Sequence, residues 1–146
     1  MEIIKNLYEA LQRIKGVKPR FVIAFIGDEP LAIYPESEEV DPRLCALVYS
    51  SYVGLEATVK DIATVESVGS GENPPMLEEV MVTLSRGSSE MYLCIYGSKT
   101  SLGLHVLLGV LVEGNLHTVH KAMIRTIARN YMVKLVNYVE TEYVTK

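Results

Sequence analysis

The segment Gly97-Ser98-Lys99-Thr100 contains residue types that build a phosphate-binding loop. Such a loop requires Gly-x-x-x-x-Gly-Lys-Ser/Thr leading into a helix, because its backbone N–H groups surround the phosphates. Here Lys99 follows a serine, the first glycine is missing, and a strand-like apolar segment comes next. The sequence therefore predicts a hairpin turn and not a phosphate-binding loop.

Two histidines near the end of the chain have a spacing that could serve a metal ion. His117 and His120 are three residues apart on the last predicted helix, close to Glu113. A zinc site needs further ligands, and the sequence offers no obvious set, so packed or solvated histidines are the commoner case. Four carboxylates in one loop could likewise bind a divalent ion, although a solvated charge run is commoner: Glu36, Glu38, Glu39 and Asp41.

No residue pattern predicts an enzyme. Nucleophilic catalysis needs serine or cysteine beside histidine and a carboxylate, and the chain lacks the Gly-x-Ser-x-Gly motif that exposes a nucleophilic serine. Cys45 and Cys94 lie in apolar runs without metal-ligand spacing, which predicts reduced, packed thiols. We expect no catalytic residues, no metal and no cofactor.

Composition predicts a single globular domain spanning residues 1–146. Apolar residues make up 49% and charged residues 22% of the chain, as in folded proteins. The net charge of −4 and the absence of a basic run argue against nucleic-acid binding. The N-terminus lacks signal-peptide features, and the longest apolar run, 102–112, is too short to span a bilayer. A cytoplasmic protein is expected.

Periodicity and turn residues predict the element order α-β-β-α-β-β-β-α. The predicted elements are helix 2–15, strands 20–27 and 31–34, a helix from Asp41 to about Val65, strands 77–86, 89–96 and 102–112, and a helix capped by Asn115. This order predicts an α/β (α+β) fold with a five-stranded, mostly antiparallel sheet and helices on both faces. Residues 131–146 form a C-terminal extension in which helix is favoured over strand.

The second predicted helix carries no charge from Leu44 through Leu55 and has two distinct sides. One is a stripe expected to face the sheet: Leu44, Val48, Tyr52, Leu55, Val59 and Ile62. The other carries the small residues Ala46, Ser50, Gly54 and Ala57. Because Gly54 costs about 1 kcal/mol relative to alanine inside a helix, close approach of another helix would offset it. We expect docking on the same helix of a second copy; burial under another element of the same chain is the alternative.

Strand 77–86 has the features of a sheet edge. It follows a Gly- and Pro-rich loop at 67–75, and Val80, Val82 and Leu84 share one face. A free edge can pair with its own copy; an edge protected by its charges is the alternative. With the second helix, the predicted dimer interface comprises Ala46, Ser50, Gly54, Ala57, Met81, Thr83 and Ser85.

The last predicted helix carries two stripes. The apolar one, expected to face the core, consists of Leu116, Val119, Met123 and Ile127. The basic one consists of Lys121, Arg125 and Arg129 and is a candidate surface for an acidic partner or a membrane. A solvated helix face is the alternative.

The order of elements and several segments resemble the roadblock family, of the dynein light chain type, with its profilin-like sheet. The matching places are Phe21–Ile26 with the Gly27-Asp28 turn, the long helix from Asp41, and Glu113-Gly114-Asn115-Leu116 followed by Lys121 and Arg125. The resemblance covers roughly residues 2–130. The loop at 67–75 and the tail depart from a minimal member and leave the partner surface open.

The resemblance implies a prokaryotic, archaeal member that is not catalytic and dimerises through its second helix and third strand. It implies a homodimeric adaptor or regulator that binds a small GTPase, or a scaffold subunit. The alternative from another class is a small-molecule sensor with a pocket between sheet and helix, formed by Tyr92, Cys94, Tyr96 and His105.

Overall fold

The computed structural model describes residues 1–36, 42–66 and 77–144. Its elements are α1 (Glu2–Gln12), β1 (Lys18–Ile26), β2 (Glu29–Tyr34), α2 (Pro42–Glu66), β3 (Glu79–Arg86), β4 (Ser89–Lys99), β5 (His105–Gly114), α3 (Thr118–Val139) and a π-helical turn (Glu140–Val144). The strands form one sheet in the order β2-β1-β5-β4-β3, and neighbouring strands are antiparallel. The predicted element order and fold class are confirmed.

Helices cover the sheet on both faces, as the side chains of β1 show. Val22 and Ala24 belong to a core that also contains side chains of α1 and α3. Phe21, Ile23 and Phe25 point the other way, into a smaller core that includes side chains of α2. A strand buried on both faces must be almost continuously apolar, which is the pattern that predicted it.

Several predicted boundaries are wrong; for example, α1 ends at Gln12 and not at residue 15, and β5 begins at His105 and not at residue 102. β4 continues through Lys99, so the turn falls at 100–103, where Gly103 has a φ of 85°. The N-cap of α3 is His117 and not Asn115. α3 then continues to Val139, so much of the C-terminal extension belongs to this helix.

Some predicted features lie outside the described residues. They are Glu38, Glu39, Asp41, the loop at 67–75 and the last two residues of the chain. Within the described ranges, no helix is long and apolar enough to cross a membrane.

Only part of the predicted apolar stripe of the last helix reaches the core: Leu116 is buried and Ile127 packs partly buried against it. Val119 and Met123 are 68% and 44% exposed. The side chains that reach the core follow a stripe beginning further along the helix: Ile124, Ala128, Met132, Leu135 and Val139. This stripe extends past Asn130, so the longer of two apolar stripes faces the sheet.

α2 is turned about its axis relative to the prediction. Val48 and Tyr52 are buried as expected, but Leu55 and Ile62 are 43% and 58% exposed. Glu56 turns inward instead, with only 15% of its side chain exposed. The helix therefore presents more apolar surface to its surroundings than the sequence pattern predicts.

Candidate functional site

α2 is held on the sheet by a narrow contact. Among the described side chains of this 25-residue helix, only Val48, Tyr52 and Ala63 are buried. Two strand glycines make room for the first two. A β-carbon at Gly109 would lie 3.2 Å from Cγ1 of Val48, and a β-carbon at Gly97 would overlap the Tyr52 phenol. Glycine in a strand interior often marks such close approach.

Polar groups fix the middle of α2 over the sheet. The Tyr52 hydroxyl donates a hydrogen bond of 2.5 Å to the carbonyl of Leu77, and burial raises its pKa to about 12. The Tyr52 ring also meets the His105 ring edge-on at 5.4 Å. His105 Nε2 lies 3.9 Å from Glu56 Oε2. Burial lowers the pKa of His105, and the Glu56 carboxylate opposes that shift.

The outward side of α2 is uncovered and has no charge from Ala46 to Leu55, although Asp61 is exposed further along the same side. The predicted interface residues Ala46, Ser50, Gly54 and Ala57 are all exposed, and nothing in the described structure lies within 4 Å of a β-carbon at Gly54. Large apolar side chains flank these small residues. The sequence pattern did not predict this exposure, because it placed Leu55 and Ile62 in the core. The exposed fractions are Leu47 63%, Val53 38%, Leu55 43%, Ile62 58% and Val65 76%. A contiguous apolar surface of this kind typically marks an interaction site.

β3 is an edge of the sheet, as predicted. It pairs with β4 on one side, and no described strand lies on its other side. The predicted interface residues Met81, Thr83 and Ser85 are exposed, as are Val82 and Leu84 on the opposite face of the strand. The backbone groups along its free side can accept another strand.

The surfaces of α2 and β3 adjoin each other. Val80 and Leu77 pack partly buried against the small core that contains Val48 and Tyr52. A second chain could therefore contact α2 and the face of β3 that carries Val80, Val82 and Leu84 at once. Met81 and Thr83 lie on the opposite face of β3, where they contact Tyr92 and Lys121.

The basic stripe of α3 is engaged with the edge of the sheet. Arg125 and Arg129 both bind Glu79 on β3, with Nη2–carboxylate distances of 2.8 and 3.0 Å. Lys121 lies 3.6 Å from Glu90 Oε2 and 5.5 Å from the centroid of the Tyr92 ring. Each arginine side chain is still 46% exposed, so the stripe links α3 to the sheet and also faces solvent.

The four residues of the predicted sensor pocket do not converge. Tyr92, Cys94 and Tyr96 are packed in the core shared by α1 and α3, whereas His105 lies under α2 on the other face of the sheet. Burial raises the pKa of the Cys94 thiol to about 11 and also raises the pKa of both tyrosines. This cluster is a protonated, close-packed part of the core.

His117 and His120 serve the start of α3. The backbone N–H of His117 donates a 3.0 Å hydrogen bond to Nδ1 of His120, and Glu113 is paired with Arg20 at 2.9 Å instead. No group of three metal-ligating side chains occurs among the residues that the structure describes. The spacing that suggested a metal site thus satisfies an N-terminal backbone donor of the helix.

In comparisons with protein-family models, curated proteins and solved structures, nothing matched this chain. The roadblock resemblance thus rests on the sequence segments given above.

Proposed function

We propose that the protein is a non-catalytic homodimer that acts as an adaptor or regulator, binding a small GTPase or serving as a scaffold subunit. The observation that carries the dimer is the outward side of α2. A 25-residue helix with so few buried side chains, and with Leu47 63% and Val65 76% exposed, leaves a large apolar surface in water. A second copy of the same surface is the simplest cover.

The geometry of the small residues supports helix-to-helix contact. Ala46, Ser50, Gly54 and Ala57 form an exposed, uncharged strip on α2, and small side chains allow two helix backbones to approach closely. β3 lies beside this helix at the edge of the sheet, and no strand among the described residues pairs with its outer side. In the proposed dimer the two α2 helices pack across the two-fold axis, and the two β3 strands lie at or near the same interface.

Cross-linking tests the position of the axis. In a Cys45→Ser background, Gly54→Cys should form a disulfide-linked dimer under mild oxidation, because the strips would place the two introduced thiols side by side. Leu102→Cys, at a residue that is 77% exposed in the turn after β4, should stay monomeric on a non-reducing gel. Equal cross-linking of both variants would contradict the proposed position of the two-fold axis.

The role of the dimer is tested separately. Small GTPases from the same organism, loaded with GDP or a GTP analogue, would be passed over the immobilised protein. Nucleotide-dependent binding supports a GTPase regulator. Binding to none of them would remove that part of the proposal and leave the scaffold role.

A further inference from the structure

The helix α3 concentrates positive charge on an acidic protein. Its 22 residues contain Lys121, Arg125, Arg129 and Lys134 and no acidic residue, although the whole chain has 18 acidic residues and a net charge of −4. Glu79 is the partner of both arginines. Two cations on one carboxylate leave an excess of positive charge at this side of the helix.

The same helix has an uncharged outer face pointing away from the core. This α3 outer face consists of Val119, Ala122, Met123, Thr126, Asn130 and Val133, all of them exposed. Val119 is 68%, Met123 44% and Val133 61% exposed. The N-terminal half of the face, with Ile127 beside it, forms a shallow, open apolar pocket lined by side chains of α3.

Cations border this face on both sides. At about 100° per residue, Arg129 lies roughly 80° to one side of Val119 and Lys134 roughly 60° to the other. Lys134 packs over the Tyr131 ring, 4.5 Å from its centroid, and no described carboxylate is paired with it. The pattern is therefore an apolar strip with a pocket, between two positive margins.

We propose that the α3 outer face is a docking surface for an amphipathic helix of a partner protein, whose apolar ridge is flanked by carboxylates. An apolar side chain of the ridge packs on the shallow pocket beside Met123, and the flanking carboxylates meet Arg129 and Lys134. Helix-in-groove binding uses this combination of apolar anchors and complementary charge. This inference adds a partner surface to the proposed adaptor, on the opposite side of the sheet from α2.

Two other occupants fit the face less well. A second copy of α3 across a two-fold axis would bring Arg129 and Lys134 of one copy against those of the other, which is repulsive. Helices that lie in a membrane surface insert Trp, Phe or Leu, whereas this face offers Val, Ala and Met. A protein helix with flanking carboxylates is therefore the occupant that the side-chain types and the charge favour.

The test uses fluorescein-labelled helical peptides of about 18 residues, close to the length of α3, with a leucine ridge flanked by Glu, Gln or Lys. Binding to the full chain is measured by fluorescence anisotropy. We expect the Glu-flanked peptide to bind roughly tenfold or more tightly than the Lys-flanked one, with affinity falling as salt rises. Equal affinities, or no saturable binding of any peptide, would overturn the proposal.

Variants locate the binding to α3. Met123→Gln and Lys134→Gln should each weaken the Glu-flanked peptide several-fold, whereas Glu79→Gln should strengthen it because it releases Arg125 and Arg129 from their shared carboxylate. Leu102→Gln, an exposed apolar residue outside α3, is the matched control and should bind as wild type. Circular dichroism checks that each variant is folded. Binding unchanged by Met123→Gln would contradict the assignment.

Two parallel measurements separate the possible outcomes. Co-sedimentation with vesicles of phosphatidylserine and phosphatidylcholine should retain little protein, and strong retention lost in Met123→Gln would mean that the face binds membranes instead. The molar mass of each variant is measured in the same samples. An intact dimer that binds no peptide would sink only this inference, and a monomer that binds the Glu-flanked peptide would sink only the proposed dimer.

Discussion

The phenol of Tyr52 occupies the space that a side chain at Gly97 would need. Tyr52 lies on α2 and Gly97 on β4, and a β-carbon at Gly97 would overlap the tyrosine hydroxyl. The same hydroxyl is bound to the carbonyl of Leu77 at 2.5 Å, so it cannot move away without losing that bond. This pair fixes how closely α2 approaches the sheet and which of its sides faces outward.

Gly97→Ala should therefore loosen α2. We expect a loss of roughly 1–3 kcal/mol in the free energy of unfolding, the usual cost of overpacking a core, measured by urea denaturation. Tyr52→Leu removes the group that would clash, so Gly97→Ala should cost clearly less in that background. If Gly97→Ala destabilises the protein equally in the wild-type and Tyr52→Leu backgrounds, the two effects are additive. The contact between Tyr52 and Gly97 would then not hold α2 on the sheet.

Gly54→Glu should dissociate the dimer without unfolding the protomer. The side chain would enter open space in the protomer and replaces glycine by a better helix former. Across a two-fold axis it would place two buried like charges together, so we expect the dimer to weaken on the order of a hundredfold. Sedimentation velocity measures the change, and Leu102→Glu is the control with an equal charge elsewhere. A fully dimeric Gly54→Glu protein would be inconsistent with the proposed interface.

Glu79→Gln should lower stability modestly. It breaks the ion pairs of Arg125 and Arg129 with β3. The Glu79 side chain is only 13% exposed, but each arginine is 46% exposed and solvent screens the pairs, so the cost is about 1 kcal/mol. Added salt should shrink the difference from wild type. Glu113→Gln, which breaks only one pair, with Arg20, should cost less in the same urea experiment. Equal losses of stability in the two variants would mean that the sharing of Glu79 by two arginines stabilises the protein no more than a single ion pair does.

His105 should make stability fall in mild acid. Burial lowers its pKa in the folded protein, with Glu56 opposing and Lys99 and Lys60 adding to the shift. The unfolded chain then takes up the proton at a higher pH, so the contribution is complete above the unfolded pKa of about 6.5. It is lost as pH falls through the lower folded pKa.

The matching experiment compares urea unfolding at about pH 8 and about pH 5. His105→Phe keeps an aromatic ring beside Tyr52 and cannot take up a proton. It should lose less stability on acidification than the wild type. A wild-type protein with the same pH dependence as the variant would show that folding does not lower the pKa of His105.

The sequence predicted the order of elements because turn and loop residues separate its apolar segments clearly. The apolar run of β1 and the long pattern of α2 each match one physical situation, namely a strand covered on both faces and a helix of many turns. The edge position of β3 also followed from its place after a loop.

The orientation of the helices was harder to predict because each has two apolar sides. In α2, Glu56 lies partly buried near Lys60 and His105, although a charge normally marks the outer side, and Leu55 is left exposed. In α3, the stripe through Val119 and Met123 competes with one through Ile124 and Leu135. The second stripe faces the sheet because the helix continues past Asn130 and lengthens that stripe. The sequence alone does not predict this continuation, which depends on packing of the residues after Asn130.

The molar mass of the wild-type protein tests the central claim most directly. Light scattering would be recorded from micromolar to nanomolar protein beside the Gly54→Glu variant. We predict about twice the 16.3 kDa chain mass for the wild type, persisting on dilution, and the chain mass for the variant. A wild-type mass of 16.3 kDa at every concentration would contradict the proposed pairing of α2 with its copy.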